Sequence, residues 1–102
     1  MSAGPTPGSG PVGRRRERTD LYATILEVVK RYHGEARITR VSYGAGMPVD
    51  RLRVSVDKLV ALGLLKRTAG DDVTTYDLTP RGQEFLASYW KMKAFTDLLE
   101  RP

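Results

Sequence analysis

The fold is decided by residues 38–80, ITRVSYGAGMPVDRLRVSVDKLVALGLLKRTAGDDVTTYDLTP. Ile38 to Ala45 predicts a short helix, with Thr39 as its cap, Val41 and Ala45 spaced four apart, and Gly44 and Gly46 closing it. Pro48 supplies a backbone dihedral suited to a first helical turn. Leu52, Val56, Leu59, Val60 and Gly63 then recur at i, i+4, i+7, i+8 and i+11, so a further helix runs from about Pro48 to Leu62. After Gly63 the period changes. Leu64–Thr68 and Val73–Leu78 are short runs rich in Leu, Val, Thr and Tyr, separated by the turn formers Ala69, Gly70, Asp71 and Asp72, and they predict a β-hairpin. Thr79 and Pro80 form a cap and first-turn pair that opens a helix of roughly 20 residues, about 30 Å long, ending near Arg101 and Pro102.

Upstream, Thr19 or Asp20 can cap a first helix whose apolar face is Leu21, Ile25, Val28, Val29 and Tyr32, with Gly34 as its stop. His33 beside that stop suits the negative end of the helix dipole, a capping place rather than a catalytic one. Met1 to Gly13 holds four Gly, three Pro and two Ser, a composition that cannot repay the entropy of ordering, so a disordered tail is expected. The basic run Arg14, Arg15, Arg16 and Arg18 joins it to the first helix, either as a solvated segment or as an arm that meets phosphates. The chain thus divides into a tail at 1–18, a helical domain with a hairpin at 19–79 and a long last helix at 80–102.

Composition narrows the function. The 102 residues carry 17 Lys and Arg against 12 Asp and Glu, one His and no Cys, for a net charge of +5. Disulfide frameworks, Cys-ligated zinc, iron–sulfur clusters and thiol catalysis are excluded, and one His cannot build a multi-histidine metal site. No apolar run approaches a membrane span or a signal peptide, so a cytoplasmic protein without cofactor, membrane partner or evident small-molecule ligand is expected. The charge is uneven. Residues 21–67 hold nine cations against four anions, whereas residues 68–102 are net acidic.

Three helices, the second and third tightly joined, followed by a two-stranded hairpin give a mainly α chain with a small β-hairpin. That is the order of a winged helix-turn-helix domain, here followed by a long C-terminal helix. In such a domain the helix of residues 48–62 fits the major groove of double-stranded DNA and the helix before it crosses the backbone. A step of 100° per residue turns Asp50, Arg51, Val54, Asp57, Lys58 and Ala61 outward, with Arg53 and Ser55 on the flanks. Arg51, in the first turn, is placed to fork onto a guanine, Lys58 to meet phosphate, and Val54 to touch a thymine methyl. Arg37, Arg40, Lys66 and Arg67 are further backbone contacts. Asp50 and Asp57 point the other way, towards a solvated face, unless each finds a cationic partner such as Arg53. Asp71 and Asp72 predict a hairpin tip that stays off the DNA.

At Thr39, Arg40, Val41, Tyr43, Ala45 and Met47 the chain resembles the archaeal winged-helix DNA-binding proteins called the ten-a class. Gly63, Leu64 and Leu65, and then the run from Tyr76 to Gly82 with Phe85, Leu86 and Tyr89, are similar to the hairpin exit and last helix of the same family. The resemblance covers roughly residues 20–99. It implies a small regulator or nucleoid-associated architectural protein that dimerises through an antiparallel coiled coil of its last helix. Pro48 in place of a hydroxyl cap, the glycines Gly44 and Gly46, and the end at Pro102 depart from the pattern. The spacing supports dimerisation independently. Phe85, Tyr89, Met92, Thr96 and Leu99 form a 4-3-4-3 stripe widened by Leu86, Trp90, Phe95 and Leu98, more apolar surface than a core of short helices can cover. A homodimeric DNA-binding protein is therefore expected. The alternative is a protein-interaction module that uses the winged helix as scaffold and its aromatic last helix to recruit a partner. Neither a phosphate loop, a nucleophile elbow nor a metal-ligand cluster suggests an enzyme.

Overall fold

The computed structural model describes residues 11–100, with side chains described from Arg18 onward. Its elements are α1 (Pro11–Arg31), α2 (Ile38–Ala45), α3 (Val49–Ala61), β1 (Leu65–Ala69), β2 (Thr74–Leu78) and α4 (Pro80–Glu100). The architecture is mainly helical, with one antiparallel hairpin and a long last helix, a winged helix-turn-helix.

The core forms around α1. Ile25, Leu26 and Val29 are fully buried there and meet Val41 of α2, Leu52, Val56 and Leu59 of α3, Leu65 and Tyr76 of the hairpin, and Leu86 of α4. Leu21 and Tyr32 are only partly buried, while Leu26, off the expected stripe, is completely so. The reason is that α1 touches α2, α3, β2 and α4 and is covered on more than one side. Among the described residues no polar or charged side chain is buried.

The first helix starts earlier than the capping signals imply. Its backbone is helical from Pro11, so the expected tail at 1–18 gives way to helix over its last part, and Thr19 and Asp20 lie inside the helix. Pro is tolerated in a first turn and arginine is a good helix former, which lets the helix run back through the basic segment. The side chains of Arg14, Arg15 and Arg16 lie outside the described residues, as do residues 1–10 altogether. At its other end α1 stops where His33 (φ 49°) and Gly34 (φ 88°) enter the left-handed region.

α2 has the expected bounds but a different cap. Arg37 is its N-cap without any side-chain hydrogen bond, and Thr39 sits within the helix. Gly46, at φ 66°, ends it, and the Ser42 hydroxyl donates to the Met47 carbonyl across the turn. Pro48 precedes α3 as an extended N-cap (ψ 144°) rather than joining its first turn. The hairpin is registered Leu65↔Leu78, Arg67↔Tyr76 and Ala69↔Thr74. Ahead of α2, Ala36 bridges to Tyr76, whose N–H donates to the Ala36 carbonyl at 2.8 Å, so the chain before α2 lines the edge of the hairpin.

Thr79 caps α4 as its residue type predicts. Its hydroxyl accepts from the Gly82 N–H at 2.9 Å and donates to the Gly63 carbonyl at 2.5 Å. One side chain thereby fixes the helix start and ties it to the end of α3.

Candidate nucleic-acid interface

The outward side of α3 follows the helical projection. Asp50, Arg51, Arg53, Val54, Asp57, Lys58 and Ala61 are exposed, Ser55 is half-buried, and Leu52, Val56 and Leu59 are buried beneath them. Asp50 occupies the first turn, where the helix dipole favours an anion.

Asp57 does not face solvent unpaired. It forms an ion pair with Arg67 of β1, not with Arg53. The Arg67 guanidinium carbon lies 5.6 Å from the centre of the ring of Tyr76, its register partner. Tyr76 and then Asp57 hold the positive charge and raise the Arg67 pKa further above its ordinary value, against a smaller lowering effect of burial. Nothing in the local sequence announces this contact, because its partners come from a helix and a strand.

Between the start of α2, one flank of α3 and the hairpin lies an open groove of about 580 Å³. Arg37, Arg53 and Arg67 line it, with Thr39, Asp57 and Asp72. The fold thus gathers three of the arginines singled out from the sequence. Arg51 and Lys58 do not line the groove, and the 100° step carries them to the other flank of α3. Arg40 lies apart as well, its guanidinium carbon 5.6 Å from the centre of the Tyr32 ring, and Lys66 stands opposite Asp77 in the hairpin register. Arg18 is exposed on α1. Tyr43 had no assigned role in the sequence beyond the family pattern. It is 90% exposed on α2, at i+3 from Arg40 and i+4 from Thr39, a spacing that places all three on one outward face.

A second surface lies on α4. Leu86 is buried in the protomer core, and Phe85 and Tyr89 pack partly against that core. Leu86 therefore leaves the expected interface set, since its side chain is already covered within one chain. The Tyr89 hydroxyl donates to Asp20 Oδ1 at 2.7 Å, and burial, then this bond, pushes its pKa up to about 12. Next to it the Trp90 indole donates to Glu27 Oε1 at 3.1 Å, and the two rings meet edge to face at 5.3 Å. These bonds tie the base of the exposed segment to α1. Beyond them Met92, Phe95, Leu98 and Leu99 are 62–83% exposed, and Trp90 itself is half-exposed.

Among the described residues no helix is long and apolar enough to cross a membrane, and no group of three or more potential metal ligands occurs.

The sequence model of the winged helix-turn-helix family matches residues 15–97, and the chain belongs to that family. No curated protein sequence matches it. Solved structures share its fold. Sso10a-2, a DNA-binding protein from Sulfolobus solfataricus, superimposes with a TM-score of 0.61 at 23% identity, over 82% of this chain and 96% of that one. The homodimeric winged helix-turn-helix DNA-binding domain Mb0332 from Mycobacterium bovis gives 0.58 at 15% identity, over 94% and 91%. The MarR family transcription regulator SP03579 gives 0.69 at 18% identity, over 90% and 70%. The architecture is thus the winged helix-turn-helix that these proteins share, and the archaeal likeness read from Thr39–Met47 and Gly63–Tyr89 has its counterpart in the Sulfolobus fold.

Proposed function

We propose that the chain is a homodimeric double-stranded-DNA-binding protein of the cytoplasmic nucleoid, acting as a transcription regulator or an architectural protein. The observation that carries this reading is the cationic outward side of the helix-turn-helix: Arg51 and Lys58 on one flank of α3, Arg53 on the other beside Arg37 in the groove. In this reading α3 enters the major groove. Arg51 and Val54 reach base edges, and Ser55 flanks them. Arg37, Arg40, Arg53, Lys58 and Lys66 meet the backbone, Arg18 and the basic run add contacts upstream, and Arg67 stands in the groove under the control of Asp57.

Charge as well as apolar surface supports a second copy on α4. On the exposed half of α4, Lys91 and Lys93 precede Phe95 while Asp97 and Glu100 follow it. Antiparallel pairing sets the lysines of one helix beside the acids of the other, whereas parallel pairing sets like charges together. The same apolar face is the feature that favours recruitment of a different protein. A self-dimer is preferred because it satisfies the charge pattern, and because Asp57, which spoke against a DNA face, is neutralised by Arg67.

Fluorescence anisotropy with labelled duplex DNA tests the reading. Binding at low salt should weaken with a log–log slope of about −0.9 per phosphate neutralised. Absence of binding at low salt refutes it. Light scattering on the eluted protein should give twice 11.4 kDa, and a monomer would return the α4 face to the partner-recruitment reading.

A further inference from the structure

Asp57 places an anion on the side of α3 assigned to DNA, and its partner is an arginine of the same groove. We propose that Asp57 withholds the Arg67 guanidinium from DNA phosphates and so limits sequence-independent binding, a role that rests on the DNA-binding reading above. Three features carry the assignment. Both side chains are open to solvent, 67% exposed for Asp57 and 40% for Arg67, so an approaching phosphate competes directly with the carboxylate. The Arg67 guanidinium carbon also lies 5.6 Å from the centre of the Tyr76 ring, a contact that keeps Arg67 in the groove instead of leaving it free to swing along the duplex. Arg37 and Arg53 line the same groove and form no ion pair among the described residues, so Arg67 is the one arginine there whose charge is already matched.

An exposed pair of this kind is weak, which makes the restraint graded and releasable. On a random duplex Arg53 and Arg37 meet phosphates while Arg67 stays with Asp57. A close docking that brings a phosphate into the groove can take Arg67 over. Asp57 therefore separates loose association from close fit without touching a base.

Anisotropy titrations of a random-sequence duplex over a salt series, on the full chain, test this with Asp57→Asn, Arg67→Gln and the double variant. Asp57→Asn should bind on the order of three-fold more tightly, with a log–log salt slope steeper by about 0.9, the signature of one more neutralised phosphate. Arg67→Gln should keep the wild-type slope, and the double variant should behave as Arg67→Gln, because the gain requires the released arginine. Asp57→Ser should repeat the Asp57→Asn pattern. If Asp57→Asn gains equally in the Arg67→Gln background, simple loss of a negative charge explains it and the restraint is overturned. Weaker binding by Asp57→Asn, or a shallower slope for Arg67→Gln alone, overturns it as well. A wild-type protein that fails to bind any duplex overturns the DNA reading itself, a result distinct from all of these.

Discussion

Gly82 lies so close to Leu64 that a Cβ on it would stand 2.1 Å from the Leu64 carbonyl oxygen. That oxygen also accepts the Thr79 N–H at 3.2 Å, so the first turn of α4 is seated directly on the strand entrance of the hairpin. Only a residue without a side chain permits this seat, and the obstacle is backbone, which cannot swing aside. Gly82→Ala should therefore destabilise the domain by about 3 kcal/mol despite the better helix propensity of alanine. Urea unfolding followed by circular dichroism measures it, and a variant as stable as wild type would disprove the seat.

The Tyr89–Asp20 bond predicts a pH dependence. Tyr89 resists ionisation in the folded state, with its pKa raised from 10.0 to about 12. A raised pKa contributes stability that is complete below pH 10 and is lost as the pH climbs towards 12. Tyr89→Phe should be less stable than wild type by on the order of 1–2 kcal/mol near neutrality, and the two stabilities should converge across that alkaline window. Curves that remain parallel from pH 9 to pH 12 would show that the hydroxyl is not held as described.

These two contacts show what could be read from the sequence and what could not. The bounds of α2, the strands of the hairpin to within one residue and the start of α4 follow from local signals, namely apolar spacing, the turn cluster around Gly70 and the Thr79–Pro80 pair. The start of α1 does not, because Thr19 and Asp20 are good caps by type while the arginines before them extend the helix. Leu26 escaped the periodicity because a helix covered on several sides buries more than one stripe. Asp57–Arg67 and Tyr89–Asp20 escaped it for a different reason: they join residues of separate elements, 69 positions apart in the second case, and no spacing encodes them. The division of α4 was only half legible. The 4-3-4-3 pattern runs on unbroken from Phe85 to Leu99, yet the core claims Leu86 and the exposed stretch begins at Trp90.

The exposed stretch of α4 predicts a charge-reversal pattern. Lys93→Glu or Asp97→Lys alone should weaken an antiparallel dimer by about three- to ten-fold, since symmetry places the change at two contacts. The combined Lys93→Glu, Asp97→Lys variant should recover wild-type association. Phe95→Glu should give a monomer whose circular dichroism shows the winged domain intact, because Phe95 lies outside the core. Analytical ultracentrifugation distinguishes the outcomes. Singles without effect would exclude the antiparallel register.

The two flanks of α3 predict unlike consequences for its two cations. Arg51 lies in the first turn on the flank away from the hairpin groove, where a planar fork can meet a guanine edge. Lys58 is two turns further along the same flank, where a docked helix rises out of the groove towards the backbone. Arg51→Ala should cost about 1–3 kcal/mol on preferred sites and little on random duplex, so discrimination falls. Lys58→Ala should weaken all sequences alike and make the log–log salt slope shallower by about one phosphate. Preferred sites come from sequencing the genomic fragments that the protein retains, and each variant is then titrated on one such site and on a scrambled duplex. If both variants lose affinity evenly on the two duplexes, Arg51 reads no base and α3 serves the backbone alone. In that case uniform genomic coverage, the pattern of an architectural protein, should accompany the result.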